Sequence, residues 1–373
     1  MRPTVERSDA PGVAPVRRIA VEEAFATPEL LDAWRASMRG GVLRDPAFES
    51  FYSTLLDAPS ATRLRQALVD VGPGRIAEMD AAGIDVQVLS VTSPGVQVLG
   101  EDDAVEHAHR LNAQLAEWIA HSGGRYAGLA AVAPQAPKRA AREIEDAVTR
   151  LGMCGVIVNS STGDRHLDDP VFAPMLEAAE ATSAPIYLHP ATPPPSMAGP
   201  FLDYGLSGPI WGFAAESALH AVRMILGGVF ERHPRLRVVL GHLGEGVPFW
   251  LPRMDAKYGM YRDVLALASA RALAESPSEC FSRCFSVTTS GMPWPDLIRF
   301  TIDRLGIESV LFAADYPYEA NAPAVAAIER ADLSDAERRQ VFAGNAERVF
   351  GLDPKPLGTS HTGTVGEPQG ATA

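Results

Sequence analysis

Polar and ionisable side chains interrupt otherwise apolar, β-branched runs at regular places in this chain. They are Glu22 in IAVEEAF, Asn159 in CGVIVNS, His189 in PIYLHP, His242 in RVVLGHL, Thr288 and Ser290 in CFSVTTSG, and Asp315 in SVLFAADYP. Ordinary hydrogen bonding explains any one of them alone. Glu22, His189, His242 and Asp315 gathered at one place need more, because buried charge is costly unless it is paired or bound to a metal. Glu22, His189 and Asp315 supply two carboxylates and one imidazole, with no thiolate. That mixture suits a single divalent ion with open water positions: Mn²⁺ first, with Mg²⁺ and Zn²⁺ as alternatives. Asn159, rather than an acid or lysine, ends the fourth run, so no second bridging metal is expected. Glu22 and Glu23 are adjacent and must face opposite ways on a strand. Glu22 is read as the inward ligand and Glu23 as facing away, while Ala24, on the face of Glu22, offers no ligand.

These residues meet only if their runs are parallel strands of one sheet. Eight short runs, 17–25, 85–91, 126–132, 154–160, 185–190, 237–243, 284–291 and 309–317, alternate with amphipathic segments such as KRAAREIEDAVTRLG. Most are preceded by a helix-ending Gly or Pro. The alternation predicts an α/β fold of the (β/α)₈ TIM-barrel type, in which chemistry sits at the carboxyl ends of the strands. A doubly wound open sheet is the alternative, but no Gly-rich dinucleotide turn follows the first strand. Residues 29–78 read as a helical insertion after strand 1, and 191–213 as a loop over the site. The barrel spans 17–353, between polar tails at 1–16 and 354–373 that lack periodicity.

The chain of 373 residues is 46% hydrophobic and carries a net charge of −13, so it can bury a large core and is a poor partner for nucleic acid or anionic membrane. Its three cysteines, Cys154, Cys280 and Cys284, have no zinc-ribbon spacing and read as buried reduced thiols. With no apolar run long enough for a span and no signal-peptide pattern at its start, a cytoplasmic protein is expected.

Together, IAVEEAFAT, RIAEMDAAGID, TSPGVQ, YLHPATPPPSM, GHLGEGVPFW, TTSG and DYPY resemble the amidohydrolase superfamily, whose first strand often carries a His-x-His metal pair. Glu22-x-Ala24 in that place resembles the decarboxylase branch, that of 2-amino-3-carboxymuconate-6-semialdehyde decarboxylase. Within it the likeness is greatest to the 5-carboxyvanillate and hydroxybenzoate decarboxylases, from about Arg18 to Phe350.

The resemblance implies non-oxidative decarboxylation of an aromatic acid with a hydroxyl ortho to its carboxylate. Direct loss of CO₂ would leave an in-plane aryl carbanion, so the carboxyl-bearing carbon is protonated first. By the same resemblance Asp315 is metal ligand and proton donor, His242 holds substrate or Asp315, and Glu245 orients His242. Arg253 is expected to hold the carboxylate, and Phe213, Trp211 and Tyr318 to wall the ring. Ser60 stands where the carboxyvanillate enzymes carry a substrate-binding arginine, with Arg63 and Arg65 nearby. The implied partner is a small aromatic carboxylate, and the implied assembly a homodimer or higher homo-oligomer. The alternatives are a hydrolase or hydratase of the same superfamily acting on a lactone or oxo-diacid, and a non-catalytic metal-stabilised barrel.

The remaining histidines are set apart from the site. His107 and His109 project to different sides of a helix. His121 and His233 read as surface or helix-end residues, and His220 as helix packing. His166 lies in the loop after the fourth strand, within reach of the site. Asp255 either orients Arg253 or caps local structure.

Overall fold

A computed structural model describes residues 16–40, 45–267 and 272–353. The tails, apart from Val16, lie outside them. Strands β1 (Ile19–Phe25), β2 (Val86–Val91), β3 (Tyr126–Ala131), β4 (Gly155–Asn159), β5 (Ile186–His189), β6 (Val238–Leu240), β7 (Phe285–Thr288) and β8 (Val310–Leu311) follow one another in sheet order. Every adjacent pair is parallel. The ring closes where the Val21 amide donates to Phe312 O (3.2 Å) and the Ala24 amide to Tyr316 O (2.8 Å). Helices cover the outside, so the strands are buried on both faces and read as near-continuous apolar runs. In β5 and β6 every residue is buried.

The barrel is that expected from the alternation of strands and helices, but its last strands are shorter than their apolar runs. β6 stops at Leu240, β7 at Thr288 and β8 at Leu311. Beyond β6 the chain turns through left-handed residues His242 (φ 51°), Leu243 (φ 54°) and Glu245 (φ 53°), and beyond β8 through Asp315 (φ 71°). These residues therefore sit on irregular backbone just past the strands. β1 is also irregular. Its pairing with β2 runs Ala20 to Gln87 and then Glu23 to Leu89, a bulge of one residue around Val21 and Glu22.

The insertion after β1 contains helices Pro28–Gly40, Pro46–Asp57 and Thr62–Val69, followed by Pro73–Ala82. The last packs against helix Asn321–Arg330, and Gly83 ends it in the left-handed conformation (φ 68°) just before β2. Trp34, Phe48 and Tyr52 pack edge-on or tilted against one another. Trp34 Nε1 donates to Gly95 O (2.7 Å) and the Tyr52 hydroxyl to Ser93 Oγ (3.0 Å), tying the insertion to the loop after β2. Arg65 donates to Leu55 O and Ala58 O, the carbonyls at the end of helix Pro46–Asp57. Among the described residues no helix is long and apolar enough to cross a membrane.

Asn112, on helix Glu101–His121, satisfies both backbone groups at the end of β3: its amide donates to Ala131 O (2.9 Å) and its carbonyl accepts from Ala131 N–H (2.7 Å). Asn112→Leu strands both in an apolar interior, at about 1–3 kcal/mol each. Urea unfolding is expected to show a loss of about 2–4 kcal/mol; a midpoint equal to wild type would show that this bridge contributes nothing.

Candidate metal centre

β1, β5 and β7 converge on one carboxylate. Glu22 is buried, and its Oε2 accepts from the hydroxyls of Tyr187, Ser290 and Thr288, the last at 2.7 Å. Thr288 and Ser290 lie two residues apart and point the same way, with 2.9 Å between their hydroxyls. Gly241, at the end of β6, makes room for this carboxylate. A methyl group there would lie 2.8 Å from Glu22 Oε1 and 3.1 Å from Oε2.

Glu22 Oε1, by contrast, is buried and has no hydrogen-bond partner. The atom facing it is His189 Nε2, 3.6 Å away. His189 Nδ1 lies 2.9 Å from Pro190 O, so Nδ1 carries the proton and Nε2 presents a lone pair. Two acceptors thus face each other across a gap suited to a cation. Ligand atoms of Glu22, His189 and Asp315 all lie within 4.8 Å of one another. One carboxylate oxygen from each acid and one imidazole nitrogen fit a divalent ion.

The charges around this gap are mutually dependent. Burial pushes the Glu22 carboxyl up, but the charges of His242 and His189 and the bonds from Ser290 and Tyr187 hold it below its ordinary value. Burial lowers His189, keeping its imidazole neutral for ligation. Burial would lower His242 too, yet Glu245, Glu22 and Asp315 raise it well above the ordinary range. Burial, with the charge of Glu22, pushes Asp315 up to about 7 although His242 opposes the rise. His242 Nδ1 is 2.7 Å from Glu245 Oε1, and its Nε2 is 3.7 Å from Asp315 Oδ2. Glu245 thereby fixes which way the ring of His242 faces.

A cavity of about 610 Å³ opens beside His242, Glu245 and Asp315, with Phe213, Trp211 and Trp250 also in its wall; Glu22 and His189 are not part of that wall. Trp211 is exposed at its rim rather than packed in the core. Phe51 of the insertion packs edge-on to Phe213 (ring centroids 5.4 Å apart). Tyr318 hydrogen-bonds Thr92 at 2.6 Å, beyond β2. Arg253 is exposed on helix Val247–Leu267 and is absent from the cavity wall, although its neighbour Met254 belongs to it. Ser60 and Arg63 are exposed, and Arg65 is committed to backbone carbonyls. Asp255 accepts from the Ser278 amide (3.0 Å), a local cap.

Two residues of the centre were missed in the sequence. Tyr187 lies two before His189 on the same strand, so strict alternation already placed it on the same face. Gly241 gave no signal, because its role depends on a carboxylate from across the barrel. Glu23 does face away from Glu22, but into the protein interior, with no exposed surface. His233 is also buried, at the end of helix Val229–Arg232, within 3.7 Å of Glu180.

A second group of potential ligands is His166, Glu216 and His220, all buried. It fits a metal poorly. His220 Nε2 accepts from the Leu167 amide (2.7 Å), so Nδ1 carries the proton and gives it to Ser160 Oγ (3.1 Å), leaving no free lone pair.

Residues 67–352 match the family model described as amidohydrolase. The chain is 33% identical over 345 residues to the gamma-resorcylate decarboxylase of a Polaromonas species, covering 90% of this chain and 99% of that protein. It superposes on the 5-carboxyvanillate decarboxylase of Sphingomonas paucimobilis with a TM-score of 0.85 at 40% identity, covering 91% of this chain and 100% of that one. A dihydroxybenzoic acid decarboxylase of Polaromonas, solved with bound manganese and the inhibitor 2-nitroresorcinol, gives a TM-score of 0.76 at 33% identity, over 90% and 97% of the two chains. With a (β/α)₈ barrel, a Glu–His–Asp centre and likeness over most of its length, the chain belongs to the amidohydrolase family, in its decarboxylase branch.

Proposed function

We propose that this enzyme is a carboxy-lyase, removing CO₂ without oxidation from an ortho-hydroxy aromatic acid of the hydroxybenzoate or carboxyvanillate type. The unpartnered Glu22 Oε1 facing the Nε2 lone pair of His189 carries the reading. Glu22, His189 and Asp315 would hold one divalent ion, with Mn²⁺ favoured by the manganese bound in the Polaromonas relative. When bound, such an ion supplies orientation and electrostatic stabilisation at the hydroxyl and carboxylate oxygens of the substrate.

The chain's own groups do the rest. Burial pushes the Asp315 carboxyl up to about 7, toward the range a proton donor needs. A ligand in the resting site, it would be loosened as substrate binds and then act as the donor to the ring carbon. His242, held protonated, offers its Nε2–H to the substrate or to Asp315, and Glu245 keeps that nitrogen pointing inward. Phe213 and Trp211 give the ring an apolar wall that Phe51 backs, and Tyr318 borders Asp315. Arg253, outside the cavity wall but next to its lining residue Met254, is the candidate to hold a substrate carboxylate only if its side chain turns inward. Exposed Phe249, Trp250, Met260, Tyr261 and Val264 on helix Val247–Leu267 support the homodimer.

Asp315→Asn keeps the shape of the side chain but removes the titratable proton. Its kcat is expected to fall by about 10²–10⁴-fold with an unchanged circular dichroism spectrum; turnover at the wild-type rate would refute the proton-donor role. Gly241→Ala should push the Glu22 carboxylate aside and weaken Mn²⁺ binding by about tenfold or more. Calorimetry on chelated protein reads this directly, and unaltered affinity would place the metal elsewhere.

Ultraviolet assays of 5-carboxyvanillate, 2,6-dihydroxybenzoate, 2,3-dihydroxybenzoate and salicylate should show conversion of at least one. That conversion is expected to disappear on chelation and return with Mn²⁺. Inertness toward all of them with every divalent ion would shift the reading to lactones and oxo-diacids.

A further inference from the structure

Glu23 adjoins a candidate metal ligand but points out of the barrel, and nothing in the proposed chemistry uses it. It has no exposed surface. Its Oε1 accepts from the Ala314 amide (3.0 Å), and its Oε2 from the Tyr316 amide (3.1 Å) and from Gln87 Nε2 (3.2 Å). Ala314 and Tyr316 flank Asp315. Asp315 itself lies beyond the end of β8, in the left-handed region at φ 71°, which a side chain other than glycine seldom adopts. The β7–β8 ladder has ended by this point, and one β1 backbone bond remains, from the Ala24 amide to Tyr316 O (2.8 Å). The carboxylate of Glu23 adds a grip on the amides on either side of Asp315.

The grip is itself braced. Gln87 on β2, which donates to Glu23, lies 3.4 Å from Arg75 Nη1 as an acceptor. Arg75 is fully buried, donates to Ala24 O (2.6 Å) and Asp70 O (3.0 Å), and stacks over the Tyr316 ring at 4.9 Å. Burial pushes the Glu23 carboxyl up to about 8, while the Ala314 amide and the charge of Arg75 work against that rise. A carboxylate has two accepting oxygens and no donor, which matches the three N–H groups aimed at it. Glutamine would turn an NH₂ toward at least one of those donors.

We propose that Glu23 is the positioning residue of Asp315. β1 then serves the site with both faces: Glu22 inward as a ligand, Glu23 outward as the clamp that aims a second ligand from across the barrel seam. This inference rests on the reading of Asp315 as a metal ligand, and it predicts that Glu23 affects the metal only through Asp315.

The test is a double-mutant cycle on Mn²⁺ affinity, measured by calorimetry on chelated full-length protein, with a thermal melt of each variant. Glu23→Gln is expected to weaken Mn²⁺ binding by about 10–100-fold. In an Asp315→Ala background the same substitution should change affinity by less than about threefold. Equal losses in both backgrounds would mean a merely structural role and overturn the inference, as would undiminished affinity in Glu23→Gln alone. If Asp315→Ala by itself leaves affinity unchanged, the ligand assignment fails first and the positioning role goes with it. Should Glu23→Gln not fold, Gln87→Met removes one of the three donors while keeping both charges. It is expected to weaken Mn²⁺ binding about threefold in the wild-type background only, and no effect there would also overturn the inference.

Discussion

The site depends on one asymmetry in the Glu22 carboxylate. One oxygen is saturated by the hydroxyls of Tyr187, Thr288 and Ser290, and the other has no partner. Three hydroxyls on Oε2 fix the orientation of the carboxylate and favour its charged form. That leaves Oε1 aimed at a neutral histidine whose own proton is already given to Pro190 O. Both atoms are acceptors, and burying two facing acceptors is unfavourable without a positive charge between them. A barrel that builds this arrangement from separate strands has built a candidate cation site.

The surrounding structure preserves the gap. Gly241 keeps clear the space the carboxylate occupies. Left-handed residues after β6 and at Asp315 turn His242 and Asp315 inward at points where an extended strand could not. Such conformations persist only when neighbours hold them. Glu23 supplies that support at Asp315, and the Glu245 contact to His242 supplies it on the opposite side. The helical insertion adds Phe51 behind Phe213 and is anchored to the loop after β2 through Trp34 and Tyr52.

The fold was legible because a parallel barrel leaves a strong pattern: eight apolar runs alternating with amphipathic segments, six of them punctuated by polar residues near the carboxyl end. The candidate ligand trio was read from that punctuation, and the fold brings its three side chains together. The failures were of two kinds. Glu23 was assigned to the opposite face, but nothing local showed that this face is buried, with Gln87 and Arg75 behind it. Strand ends were overextended at Asp315 and His242, because an apolar run continues through backbone that has already left the ladder. Arg253 shows a further limit: its motif placed it near the cavity, but the fold leaves its side chain on the outside of a helix.

The sequence by itself therefore determined the barrel and pointed to the candidate ligands, since both follow from residue type and a period of two. It also determined the net charge of −13. The tertiary structure decided which oxygen of Glu22 is free, which nitrogen of His189 bears the lone pair, and what Glu23 holds. Those depend on contacts between residues far apart in the chain, such as Glu22 with Ser290 and Glu23 with Ala314. No local pattern encodes such contacts, because they exist only once the first and eighth strands of the ring are side by side.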